Sequence, residues 1–205
     1  VTAVGFGTAV VTARCIANDK SASVTITVEA GAWIWDKRNN FKNWEISQAY
    51  SSFVIQDGKM VVTCGQQNAD MKRADLRLAA SATAPVYMNW GNYPVLALRT
   101  DLGKGVGKGC VYTLNLAPVT GSGANKAENN GLLLDDGTRM LYWDVSAWGN
   151  VSTTETIPYR TFEVKVADIY NQNLPTSKYT VYWIRTFKSV AEAEAFAKAE
   201  VKAEN

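Results

Sequence analysis

The sequence contains no histidine at all. That removes the usual general base near neutral pH, the commonest metal ligand, and every Ser-His or Cys-His nucleophile pair. Cysteine is scarce as well. Cys15, Cys64 and Cys110 are far apart, make no C-x-x-C or other metal-ligand spacing, and as an odd number leave at least one thiol unpaired in an isolated monomer. Each stands in or at the end of a strand-like run, so we read them as small buried hydrophobes and not as redox groups. No stretch approaches the roughly 18 apolar residues of a membrane helix. The chain opens at Val1 without a basic segment followed by an apolar one, so no secretory signal is expected. A net charge of +2 with no dense Lys/Arg stripe argues against a dedicated nucleic-acid binder.

What is present is aromatic. Seven Trp and nine Tyr stand in a chain of 205 residues, and the 47% apolar content suffices for an ordinary globular core. The length allows one large domain, or one domain with a fragment of another. With histidine missing and rings abundant, composition tilts towards recognition over catalysis.

The stretch Val86 to Leu116 organises this reading. Pro94–Thr100 and Val111–Leu116 are strand-like; in the second, Tyr112, Leu114 and Leu116 alternate with Val111, Thr113 and Asn115. The glycine-rich connection from Asp101 to Gly109 is a turn or loop, and the whole is expected to form an antiparallel β unit. Just before it, Asn89, Trp90, Gly91, Asn92 and Tyr93 bring rings and amides together on a loop.

Elsewhere the signals are mostly of strands. Thr8–Ile16 and Ser23–Glu29 flank an Asn18-Asp19-Lys20 turn. Ser52–Ile55, Asp57-Gly58 and Met60–Cys64 predict a two-residue hairpin. In Arg73–Leu78 the charged residues Arg73, Asp75 and Arg77 share one face and Ala74, Leu76 and Leu78 the other. Leu132–Leu134 and Met140–Val145 flank Asp135-Asp136-Gly137, Pro118–Gly131 is a long polar loop, and Phe162–Ile169 and Tyr179–Phe187 are further strands. The period then changes: Ser189 and Glu192 form a capping box ahead of a helix over 190–203.

Short strands, frequent turns and no βαβ alternation predict an all-β fold, an antiparallel β-sandwich of jelly-roll type over 33–205 closed by the C-terminal helix. In front of it, the wording V-G-x-G-T-A-x-V-T-A, an N-D turn and S-V-T-I-T-V resembles the C-terminal half of bacterial Ig-like domains of group 2. Residues 1–30 are therefore expected to be a partial Ig-like β segment. The phrases N-Y-P-V-L-A-L-R-T-D, L-Y-W-D-V, F-E-V-K-V-A-D-I and Y-T-V-Y-W-I-R-T-F-K-S-V, over about 44–196, resemble an uncharacterised jelly-roll domain family of Bacteroidetes surface lipoproteins and polysaccharide-utilisation proteins. That resemblance implies a sandwich similar to carbohydrate-binding modules, on a secreted or surface-tethered protein with further domains.

Sugars offer weakly apolar C–H faces ringed by hydroxyls, so a sugar site wants flat rings for stacking and amides or charged groups to fix orientation. Trp90 and Tyr93 with Asn89 and Asn92 have that mixture; the alternative is that the rings plug one end of the sandwich. Trp148, in a polar loop before Gly149-Asn150, is a second ring of the same kind. Arg73 and Arg77 could hold an acidic glycan, or could be a solvated face of cross-strand ion pairs. Trp33 and Trp35 share a face and could cover the domain junction. Carboxylates such as Asp135, Asp136 and Glu163 could in principle form a glycosidase pair, and Asp57 or Asp135-Asp136 a structural calcium site, although no D-x-D-x-D-G loop is present. The expectation is a non-catalytic, polysaccharide-binding domain without cofactor, calcium excepted, with a structural or adhesive spacer as the alternative.

Overall fold

The computed structural model describes residues 7–28, 32–79, 86–101, 113–117, 131–148, 157–159, 161–170 and 177–204. The glycine-rich connection after Leu102, most of the polar loop after Pro118, Cys110 and Asn150 lie outside these residues. The chain divides into two compact units, Val1–Gly31 and Ala32–Asn205.

The first unit is a hairpin. β1 (Gly7–Arg14) and β2 (Ser21–Val28) pair antiparallel, with Val11 opposite Val24 and Thr12 opposite Ser23. Opposed residues share a face, so Ala9, Val11, Ala13, Ala22, Val24 and Ile26 form an apolar side. Thr8, Thr12, Ser23 and Thr27 lie on the other, where Thr12 and Ser23 hydroxyls meet at 2.7 Å. Asp19 takes a left-handed φ of 57° at the turn, which a short polar side chain tolerates. Cys15 is exposed there, against the expectation of a buried thiol, because it stands past the end of β1 where the chain turns.

The second unit is an antiparallel β-sandwich of jelly-roll type with one C-terminal helix. In chain order it holds β3 (Ile34–Trp35), β4 (Trp44–Ile46), β5 (Ser52–Gln56), β6 (Lys59–Thr63), β7 (Gly65–Gln66), β8 (Met71–Leu78), β9 (Val86–Met88), β10 (Val95–Thr100), β11 (Thr113–Ala117) and β12 (Leu132–Leu133). Then follow β13 (Arg139–Asp144), β14 (Ile157–Tyr159), β15 (Thr161–Tyr170), β16 (Lys178–Phe187) and α1 (Val190–Glu204). One sheet runs β12-β13-β10-β16-β6-β5, with β3 also on β16; the other runs β11-β15-β8-β4, with β7 on β8; β9 and β14 pair apart.

The first core lies between the sheets. Leu96, Leu98, Leu141, Val181 and Ile184 meet Trp44, Leu76, Leu78, Phe162 and Val164 from the facing sheet. A second core lies on the other side of the larger sheet, where Val95, Ala97, Met140, Trp183 and Phe187 meet Ala193, Ala197 and Val201 of α1. β10 is thus covered on both faces and every one of its residues is buried, which explains why Val95–Thr100 lacks a polar alternation. Its neighbours are β13 and β16, so both its edges are taken. The expected antiparallel unit of Pro94–Thr100 with Val111–Leu116 therefore does not form, and β11 pairs with β15 in the other sheet.

Local chemistry explains the joints. Asp57 and Gly58 have φ of 51° and 72°, the two left-handed positions of a type I′ hairpin turn, as the Asp-Gly pair predicts. At the start of α1, the Glu192 N–H donates to Ser189 Oγ at 3.2 Å. The Glu192 carboxylate accepts from the Lys188 N–H at 2.8 Å, one residue ahead of the reciprocal partner that a capping box would give it. Between Arg99 and Thr100 the β10–β16 register shifts, and the extra residue turns both Tyr182 and Trp183 towards the helix side.

Candidate functional site

The loop singled out in the sequence does not present a platform. Trp90 has no exposed surface and its ring stacks on Phe162 at 6.4 Å with the planes 14° apart. Asn89 closes the loop: its side-chain oxygen accepts from the Asn92 N–H at 3.1 Å, and its backbone carbonyl from the Tyr93 N–H at 3.0 Å. A turn tied this tightly directs the large ring inward, where its burial outweighs what stacking at the surface could offer. Asn92 stays exposed and Tyr93 half-buried, yet the ring they were expected to flank faces away. Trp148 is buried in the same core. These rings plug the sandwich.

The charged row on β8 is engaged too. Arg73 pairs with Asp75, and Arg77 with Glu45 at 2.8 Å. Asp75 is fully buried although it faces away from the sheet-sheet core, because the segment after β4 lies across it. Gln48 Oε1 accepts from the Asp75 N–H at 2.6 Å, Gln48 Nε2 donates to the Asp75 carboxylate at 2.8 Å, and the Ser51 hydroxyl donates to the Arg73 carbonyl at 2.5 Å. An arginine neutralising a buried carboxylate is poorly placed to release it for an acidic glycan. A solvated face was the wrong expectation for Asp75, since period alone does not reveal a covering loop.

The aromatic cleft lies elsewhere, where the chain passes from one sheet to the other. β3 runs along β16, and Trp33 is fixed at both backbone atoms: its N–H donates to Thr186 Oγ1 at 2.9 Å and its carbonyl accepts from the Thr186 N–H at 3.0 Å. Two residues on, Trp35 is on the same face, and the two indoles stack with centroids 5.5 Å apart and planes 17° apart. Trp35 is 4% exposed and meets Trp44 edge-on at 5.3 Å, while Trp33 is half-buried.

The segment 36–43 then turns sharply. Asn39 organises it by accepting from the N–H groups of Asp36 and Phe41 and donating to the Ile34 carbonyl at 2.6 Å. Asn40, Phe41 and Asn43 all have left-handed φ, of 51°, 50° and 70°. For phenylalanine that conformation is strained, and a ring left 1% exposed in the core holds it. Asn43 is thereby delivered to the rim, and its carbonyl accepts from the Ala79 N–H at 2.7 Å. The result is a cavity of about 240 Å³ lined by Trp33, Trp35, Asn43, Leu78, Val86 and Tyr87, with Ala79 beside them. No charged side chain of the described residues lines it.

Residues 32–193 match the model of a family described as "Domain of unknown function (DUF4979)". The chain belongs to the DUF4979 family. No curated protein matches it. A solved structure of CBM86, described as a low affinity xylan binding module from the xylanolytic gut symbiont Roseburia intestinalis, is similar over 79% of this chain and 98% of its own length. The identity is 8% and the TM-score 0.36, a likeness that carries no functional argument.

A second cavity of this DUF4979 domain, about 410 Å³, lies on the helix side and is ionic: Asp36, Asp57, Lys59, Tyr182, Glu200 and Glu204 all border it. Beside it Arg99, buried completely, donates to Thr138 Oγ1 at 2.9 Å, Asp136 at 2.6 Å and Glu204 at 2.9 Å, and lies 4.2 Å from the Tyr182 ring centroid. Burial opposes the Arg99 charge, but the bonds to Glu204 and Asp136 more than offset it and hold its pKa above the ordinary value. Both Asp136 oxygens are engaged, one by Thr138 and one by Arg99, so this carboxylate is a poor calcium ligand. Among the described residues, no group of three Cys, Asp or Glu side chains gathers in the manner of a cation site.

Sequence reasoning noted the pairing of Trp33 and Trp35 on one face but assigned it to a domain junction. It missed Tyr87 and Asn43. The only local signal was the Asn-rich, aperiodic stretch WDKRNNFKN, and its left-handed turn becomes visible only once the fold brings β3 beside the end of β8.

Proposed function

We propose that this DUF4979 domain is a non-catalytic carbohydrate-binding module. A sugar ring would lay its C–H face on the indole of Trp33 beside Tyr87, with the Asn43 amide reading hydroxyls at the rim. The observation that carries this reading is the uncharged aromatic cleft itself, built on two strands and a strained, well-tied turn. Because no carboxylate lines it among the described residues, the acid/base pair that glycoside hydrolysis needs is not at hand there. Affinity electrophoresis of wild type and Trp33→Ala across a polysaccharide panel tests it. Retardation by at least one polysaccharide class, lost in the variant, supports the module; no retardation by any of them overturns it.

The wider setting follows the sequence resemblance. We infer that residues 1–30 are the last strands of an Ig-like domain and that 33–205 form the binding domain, on a secreted or surface-anchored bacterial protein of the Bacteroidetes lipoprotein type. The apolar side of the hairpin, from Ala9 to Ile26, supports the first of these, since such a side belongs against a second layer.

A structural or adhesive spacer is the second reading. The burial of Trp90 and Trp148 favours it, because it removes two rings that a larger binding surface would have used.

A further inference from the structure

The lining of the cleft limits what kind of sugar it can take. We infer, on the basis of the glycan-binding reading above, that the cleft is a single-ring subsite for an uncharged pyranose and excludes uronic acids and other anionic sugars. Three observations combine.

The first is charge. Trp33, Trp35, Leu78, Ala79, Val86 and Tyr87 contribute rings and hydrocarbon, and Asn43 the only side-chain amide among the described residues. A carboxylate moved into such surroundings loses its water without gaining a cation, an unfavourable exchange. Arg73 and Arg77 lie on the opposite face of β8 from the cleft residue Leu78 and are paired with Asp75 and Glu45. A neutral hydroxyl loses far less and finds Asn43.

The second is size. At about 240 Å³ the cavity is smaller than the roughly 300–1,000 Å³ of pockets for drug-sized ligands. That volume has room for about one sugar ring among the described residues. Rings beyond the first are therefore expected to add little affinity.

The third is polarity. Among the described residues the lining offers few side-chain polar groups, chiefly the Asn43 amide and the indole N–H groups, so stacking dominates the interaction. Epimers that keep a flat C–H face should bind alike, and affinity should be modest.

Titration calorimetry of the full chain against a length ladder of neutral oligosaccharides, and against a matched ladder of oligogalacturonates, tests this. The expected result is binding of neutral sugars that is constant within about twofold along the ladder, weakened at least about tenfold by Trp33→Ala, with no heat from the uronates. Trp33→Phe keeps a flat ring and should retain part of the affinity, which guards against a fold effect of the alanine variant. Uronates binding as well as neutral sugars, or affinity climbing about tenfold along the ladder while Trp33→Ala still abolishes it, would overturn the single-ring, uncharged assignment and leave the module intact. Silence from both ladders would overturn the module reading and this inference with it.

Discussion

Trp33 and Trp35 stack 5.5 Å apart on one strand face, yet only Trp33 is left partly open while Trp35 is 4% exposed. The two rings therefore have different tasks although they look alike in sequence. Trp35→Ala removes a core ring that also packs on Trp44, and should cost about 3–5 kcal/mol. Trp33→Ala should cost less and remove glycan binding instead. Urea melts of the two variants, read beside affinity electrophoresis, check the separation; equal losses of stability would show that Trp33 is a packing residue only.

Trp90 has the opposite profile. With no exposed surface and its ring on Phe162, Trp90→Ala should destabilise the domain by about 3–5 kcal/mol. Its indole should resist acrylamide as a buried one does. Comparing acrylamide quenching of wild type with Trp33→Phe and with Trp90→Phe makes the measurement: the component lost with Trp33 should be the quenched one and that lost with Trp90 the protected one. Efficient quenching of Trp90 would return the 89–93 loop to the surface.

The contrast shows what the sequence could and could not disclose. Alternation of polar and apolar residues marks β8 and β15, the Asp-Gly pair marks the turn before β6, and the change of period marks α1, because each depends on chemistry within a few residues. The β10–β11 unit was misjudged because strand partners depend on which sheet edges are free, a property of the whole fold. Trp90 was misjudged for a related reason. Rings beside amides and glycine occur both on binding loops and on turns that fold inward, and the Asn89 bonds that decide between them are invisible until the turn closes. The Trp33 cleft depends on β3 lying against β16 far along the chain, so only its pair of rings was legible.

Gly58 couples the β5–β6 turn to the segment that shapes the cleft. It has a φ of 72°, and a Cβ placed there would stand 2.2 Å from Lys37 Cβ. Gly58→Ala must therefore pay both for the left-handed backbone, roughly 1–2 kcal/mol, and for moving Lys37 away. Because Lys37 is in the 36–43 turn, the shift should also disturb Asn43. Loss of stability by about 2 kcal/mol in a denaturant melt, with reduced glycan affinity in the surviving folded protein, is the expected result. A variant as stable as wild type would mean that the turn relaxes freely.

The Arg99 cluster makes the domain sensitive to acid. Burial raises the Asp136 pKa, but bonds from Thr138 and then Arg99 outweigh it, and the net position is below the ordinary value of 3.8. The folded protein thus binds this proton less readily than the unfolded chain does. The stabilisation from Asp136 is complete above about pH 4, and it disappears as pH falls through the depressed folded value. Protonation of Asp136 takes from the buried Arg99 one of the two carboxylates it donates to, and the other, Glu204, is 43% exposed. Asp136→Asn should reproduce that state at neutral pH, lowering stability by about 3 kcal/mol while flattening the acid limb of the profile. Thermal melts from pH 7 to pH 2 on both proteins measure it. If the curves of wild type and variant run parallel below pH 4, Asp136 does not set the acid limit and the folded pKa is not depressed.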